Sequence, residues 1–166
     1  MATVLHKLTE RLSAPHSKQS LRLWLSLLSC ATIIEKEIRA YLAREFQTTL
    51  PRFDVLAALD RHADGLTMSE LSEHLLVSNG NVTGLVARLR DDGMVERTVS
   101  PADRRTFRVK LTEAGRKAFA EMAAAHEAHV DGLLGDLSDD DIVALLDRLG
   151  AVQGSVGRFL EAEGDA

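Results

Sequence analysis

A mainly α-helical fold carrying one small β-hairpin is predicted by three observations. Apolar residues recur at helical spacing through most of the 166 residues. The period changes once, around residues 94–111, where alternation in steps of two takes over. Cap and turn signals cut the helical stretches into pieces, with the short pieces directly before the alternating stretch.

Each element follows from local chemistry. Residues 1–17 lack periodicity and contain Pro15, which reads as a flexible N-terminal arm. Residues 18–46 read as one long helix with two apolar stripes. Leu21, Trp24, Leu25, Leu28 and Thr32 form one stripe; Leu23, Leu27, Ile34, Ile38 and Tyr41 form the other. A helix apolar on two faces must be covered twice, once by its own core and once by a second subunit or a ligand pocket. Thr49 and Pro51 open a helix expected to reach about Ala63. Asp64-Gly65 is a turn. Thr67 and Glu70 have capping-box spacing for a short helix ending near Leu75. Ser78 or Asn79 opens another helix, in which Val82, Leu85, Val86 and Leu89 form one buried face. Residues 94–99 and 107–111 read as strands joined across residues 100–106. Phe107, Val109 and Leu111 should share one face of the second strand, Arg108 and Lys110 the other. Thr112 caps a helix to about Leu134, and Ser138 opens the last helix with an acidic triplet at the positive end of its dipole. Residues 161–166 are expected to form a flexible tail.

Composition narrows the class. Apolar residues make up 45% and charged residues 27%, an ordinary globular balance. One cysteine excludes a disulfide framework, and seven aromatics are few for a platform that stacks single-stranded bases. The longest uncharged run, residues 23–34, is too short to span a bilayer. The apolar stretch before Cys30 is also short for a lipoprotein signal, so a cytoplasmic protein is expected. Net charge is −5 overall, but it is distributed unevenly. Residues 78–110 carry +3, while residues 111–166 carry −8, which suits a local anionic partner. No Ser/His/Asp spacing, Gly-rich phosphate loop or metal-ligand set is present, so neither an enzyme nor a cofactor is expected.

Short helix, turn, second helix and hairpin is the order of a winged helix-turn-helix. With the four apolar residues inward, the second helix presents Gly80, Asn81, Thr83, Gly84, Ala87 and Arg88 outward. Small residues let the backbone approach a groove floor, while Asn, Thr and Arg offer hydrogen bonds to bases and phosphates. The start of the helix at Ser78 and Asn79 offers N–H groups to a phosphate. The hairpin adds Arg104 and Arg105 at its tip, then Arg108 and Lys110. Arginines on a narrow ribbon suit a minor groove. Asp103 would hold a neighbouring guanidinium or cap the turn.

These residues resemble the MarR family. The resemblance rests on Ser78-Asn79-Gly80-Asn81-Val82-Thr83-Gly84-Leu85-Val86-Ala87-Arg88-Leu89 and on Asp91-Asp92-Gly93-Met94-Val95-Glu96-Arg97. It continues through Asp103-Arg104-Arg105 and Val109-Lys110-Leu111-Thr112-Glu113-Ala114-Gly115. The family's Asp-x-Arg wing signature falls on Asp103 and Arg105. The match is strong over about 50–115, and the helix order agrees over about 20–160. The resemblance implies a winged helix-turn-helix over 49–111 and a dimerisation region over 18–48 and 112–160. It implies a homodimeric transcription regulator, a repressor above all, on a palindromic operator of double-stranded DNA. It also implies release by a small-molecule effector such as an aromatic acid or its CoA thioester.

The effector site is not fixed by a motif. An anionic aromatic needs a cation and an apolar wall, and Arg22 or Arg39 with Trp24, Leu28 and Phe53 are candidates. Taken one by one, Trp24 and Phe53 read better as core and the arginines as solvated. Two alternatives of the same fold are sensing through Cys30, which has no basic neighbour within four positions, and metal sensing through His126 and His129. Packing suits Cys30 better, and solvation suits the histidines better. A further alternative is a winged helix that binds protein and no DNA.

Overall fold

The computed structural model describes residues 15–75, 78–99 and 106–164. Its order is α1 (His16–Phe46), α2 (Leu50–Asp60), α3 (Met68–Leu75), α4 (Asn79–Asp91), β1 (Val95–Val99), β2 (Phe107–Leu111), α5 (Glu113–Leu133) and α6 (Asp139–Gly164). The chain divides into two units, residues 1–127 and 128–166.

The first unit holds the core. Leu42, Val55, Leu56, Leu59, Leu71, Val82, Leu89, Val95 and Val109 are buried. They come from α1, α2, α3, α4 and both strands, so one apolar cluster joins the end of the long helix to the helix-turn-helix and the hairpin. Only the last third of α1 takes part in this core. Its earlier turns leave Leu21, Leu23, Trp24, Leu25, Leu28 and Ile33 exposed. The helix ends where Gln47 turns left-handed (φ 49°) and its N–H reaches Leu42 O.

The caps divide the work between backbone and side chains. Thr49 O accepts the N–H groups of Arg52 and Phe53 at the start of α2, while the Thr49 hydroxyl makes no cap bond. Pro51 sits in the first turn of that helix. At α3 the capping box is reciprocal: Glu70 N–H donates to Thr67 Oγ1 at 3.2 Å, and Thr67 N–H donates to Glu70 Oε2 at 2.7 Å. Those bonds, with Arg108 beside them, hold the Glu70 carboxyl below the usual carboxylate range. At α4 the Ser78 carbonyl accepts from Asn81 and Val82, without a side-chain cap.

α2 stops at Asp60, short of the expected Ala63, because the chain turns early. His62 N–H bonds Leu59 O, and Gly65 N–H bonds His62 O at 2.8 Å. That turn delivers Leu66 to β2, where Leu66 and Val109 exchange two backbone bonds at 3.0 and 2.7 Å. β1 and β2 pair antiparallel from Val95↔Leu111 to Val99↔Phe107. On β2, Val109 and Leu111 are buried as alternation requires, but Phe107 is exposed because the ladder runs beyond the core there. Thr112 ties the hairpin to α5: its hydroxyl accepts Gly115 N–H at 2.9 Å and donates to Gly93 O at 2.7 Å.

The second unit contains the end of α5 and α6. A Ser138–Asp141 box opens α6, and its hydrogen bonds lower the Asp141 pKa. No residue of α6 is buried within the chain, and Val143, Leu145, Leu146, Leu149, Val156, Phe159 and Leu160 stand exposed. Among the described residues, no helix is long and apolar enough to cross a membrane.

Candidate nucleic-acid interface

α4 has two unlike sides. Val82, Val86 and Leu89 are buried and Leu85 is half-buried, as its spacing predicts. Ser78, Gly80, Asn81, Thr83, Gly84 and Arg88 are exposed, and Ala87 is half-buried. Asn79 begins the helix; its side chain lies outside the described residues. No atom lies within 4 Å of the place a Cβ would take at Gly80 or Gly84, so this side presents bare backbone. An open cleft of about 370 Å³ runs beside it, lined by Pro51, Gly80, Asn81, Gly84, Leu85 and Arg88. Arg52 pairs with Asp92 at 2.5 Å, linking the start of α2 to the end of α4 and orienting one helix against the other.

Asp103, Arg104 and Arg105 fall in 100–105, outside the described residues. Arg108, expected as a DNA contact, has two partners within the chain. Its Nη1 donates to Gly65 O at 2.6 Å and its Nη2 to Glu70 Oε1 at 3.3 Å, so the guanidinium turns toward the protein. Sequence reasoning also passed over Arg97. This exposed β1 residue places its guanidinium 4.7 Å from the Phe107 ring centroid and adds a cation at the root of the wing. Strict alternation would put Arg97 on the face of the buried Val95, so no local pattern marks it as an exposed cation; β1 instead runs buried, exposed, exposed over Val95, Glu96 and Arg97.

The effector candidates divide between core and surface. Phe53 is buried in the core, 5.4 Å from the Phe119 ring and 4.8 Å from the His126 ring. Arg39 is paired with Glu35 through Nε at 2.9 Å. Trp24 and Leu28 stand exposed on α1, where Arg22 shares a shallow groove with Gln19, Leu23, Leu25 and Ser26. Cys30 is exposed on the same helix. Stacking on Phe53 gives His126 a packing role. Among the described residues no three His, Cys, Asp or Glu side chains gather to hold a metal.

A second cleft, of about 280 Å³, is lined by Asp54, Ala57, Ala58, Arg61, His62, His74 and Leu75. The two imidazoles lie 4.8 Å apart, and His62 Nδ1 is 2.8 Å from Ala58 O. Burial raises the Asp54 pKa above its usual 3.8; Arg39 opposes the rise, Glu35 adds to it and Arg61 opposes it. A raised native pKa means that the folded state binds the proton more tightly than the unfolded one. Ionised Asp54 therefore costs stability at neutral pH, and that cost disappears as pH falls through the native pKa toward 3.8. Asp54→Asn is accordingly expected to unfold at a higher temperature than the wild type at pH 7, with the gap closing below about pH 4. Thermal unfolding across pH checks this, and a gap that widens on acidification contradicts it.

The comparisons with known proteins agree with this geometry. The model of the MarR family matches residues 46–106. The transcriptional activatory protein BadR of Rhodopseudomonas palustris is 34% identical over 128 residues, covering 75% of this chain and 73% of its own. The HTH-type transcriptional repressor IacR of Pseudomonas putida is 32% identical over 74 residues, 45% of this chain and 44% of its own. The crystal structure of a MarR family transcriptional regulator from Silicibacter pomeroyi superposes with a TM-score of 0.74 at 36% identity, over 87% of this chain and 99% of that one. With a helix-turn-helix, an attached hairpin and relatives of this kind, the chain belongs to the MarR family: it is a winged-helix transcriptional regulator and not an enzyme.

Proposed function

We propose that the chain binds double-stranded DNA as a homodimer at a palindromic operator, and that a small molecule releases it. The observation that carries the reading is the two-sided α4, apolar inward and bare, small and polar outward. Ser78, Asn79, Gly80, Asn81, Thr83, Gly84 and Arg88 would enter a major groove, and Arg104 and Arg105, with Asp103 holding the wing's turn, the adjacent minor groove. The domain reading follows: 49–111 binds DNA, while 18–48 and 112–160 dimerise. The exposed apolar faces of α1 and α6 support the second part, since each is larger than a solvated helix keeps uncovered. The action is placed in the cytoplasm, with the DNA.

Release is a population shift. An effector must bind the DNA-incompetent dimer more tightly than the competent one, because equal affinity shifts nothing. An aromatic acid or its CoA thioester suits the open Trp24 and Leu28 with Arg22 on the same stretch of helix. Arg39 and Phe53, held by Glu35 and by the core, would serve only as the surroundings of such a site. Repression by covering a promoter is the proposed outcome, in keeping with the name of the Pseudomonas relative. Activation is a second reading, favoured by the name of the Rhodopseudomonas relative.

Titration of duplex DNA from the chain's own upstream region, across a salt series, tests the reading. Tight binding that weakens steeply with salt is expected, because phosphate contacts release counterions. Absence of binding at low salt would favour a protein-binding winged helix.

A further inference from the structure

We propose that Arg108 is a positioning residue that locks the wing to the start of α3, acting on DNA binding through the arginines it aims and not through a contact of its own. The inference rests on the DNA-binding reading above and deepens it. Glu70 divides its carboxylate between two tasks: Oε2 accepts Thr67 N–H at the start of α3, while Oε1 accepts Arg108 Nη2 from β2. The other arm of the guanidinium reaches Gly65 O, in the turn that leads to α3. One residue along the strand, Val109 exchanges its two backbone bonds with Leu66. Gly65 makes this approach possible: at φ 76° a Cβ there would strike the Val109 carbonyl. A two-stranded hairpin is barely stable alone, so its direction must come from such anchors. Val99 and Phe107, the paired strand ends on either side of residues 100–106 in sequence, are both exposed and bring little packing against the core. The Arg108 side chain is 28% exposed and both of its arms are engaged, which makes it a poor phosphate ligand.

The test compares Arg108→Met, Glu70→Gln and the double variant for binding to the upstream duplex at several salt concentrations, and for amide exchange in residues 95–111. Arg108→Met should bind about tenfold more weakly, the value of one charge-assisted hydrogen bond. Its salt slope should match the wild type, and exchange in the hairpin should quicken while α4 stays protected. Glu70→Gln keeps a capping-box residue. Removing an acid near DNA should strengthen binding on charge alone, so a weaker complex is the signature of positioning. The double variant should be no worse than Arg108→Met, since the two residues share one link. A salt slope reduced by about one in Arg108→Met would make the residue a phosphate contact and overturn the proposal. Normal wild-type binding with Arg108→Met unchanged overturns this proposal alone. A wild-type chain that binds no duplex overturns the DNA-binding reading and this proposal with it.

Discussion

Gly115→Ala is expected to destabilise the chain by about 3 kcal/mol or more, the upper range for forcing atoms into a packed site. Helix propensity alone argues the opposite, because alanine exceeds glycine by about 1 kcal/mol within a helix. The reversal comes from a backbone approach. A Cβ at Gly115, in the first turn of α5, would overlap the Met94 carbonyl oxygen and stand 2.8 Å from its carbon. That carbonyl cannot retreat freely, because it accepts Thr112 N–H at 3.1 Å and Met94 N–H is bonded to Leu89 O at 2.9 Å. Moving it would disturb the end of α4, the start of β1 and the Thr112 cap together. Gly132→Ala on the same helix is the control. Nothing lies within 4 Å of its Cβ position, so that change should stabilise by about 0.5–1 kcal/mol. Denaturant unfolding of both variants checks the pair. Gly115→Ala as stable as the wild type would show that the junction of hairpin and α5 is looser than described.

Arg105→Ala is expected to cost about 1–3 kcal/mol of operator binding and to lower the salt slope by about one. The residue is the arginine of the wing signature, and it falls in the sequence between two strands anchored by Leu66, Arg108 and Thr112. A guanidinium in a narrow minor groove meets concentrated negative potential, so the loss should exceed that of an ordinary surface charge. Stability should be unaffected. The contrast with Arg108→Met is in the slope: a contact changes it, whereas a positioning residue leaves it alone. Anisotropy titrations at four salt concentrations distinguish them, and an Arg105→Ala protein that binds like the wild type would remove the wing from the interface.

Local signals were legible in the sequence because they act within a turn or two. The Thr67–Glu70 box, β2 and the buried face of α4 follow from spacings of three or two residues. The long helix was expected over 18–46 and spans His16–Phe46. Less legible was whatever depends on contacts far apart in sequence. The early end of α2 serves a bridge between Leu66 and Val109, 43 residues apart, and no local pattern records that pairing. Separations of 43 and 38 residues hide the partners of Arg108, Gly65 and Glu70, while as a residue type it reads as a DNA cation. Phe53 reads better as core than as a pocket wall, and Phe119 and His126 on α5 make it core. On α1, the stripe of Leu21, Trp24, Leu25 and Leu28 is the uncovered one, and the sequence does not say what covers it.

Hydroxyl-radical footprinting of the purified protein on its own upstream DNA tests most directly whether a dimer reads DNA through α4. A symmetric pair of reading helices predicts two protected patches related by a dyad, about 34–36 Å or one helical turn apart, lost together in Arg105→Ala. Their overlap with the polymerase site would also separate repression from activation. A folded protein that leaves every upstream fragment unprotected at low salt, or protects a single patch without symmetry, would contradict a dimer reading DNA through α4.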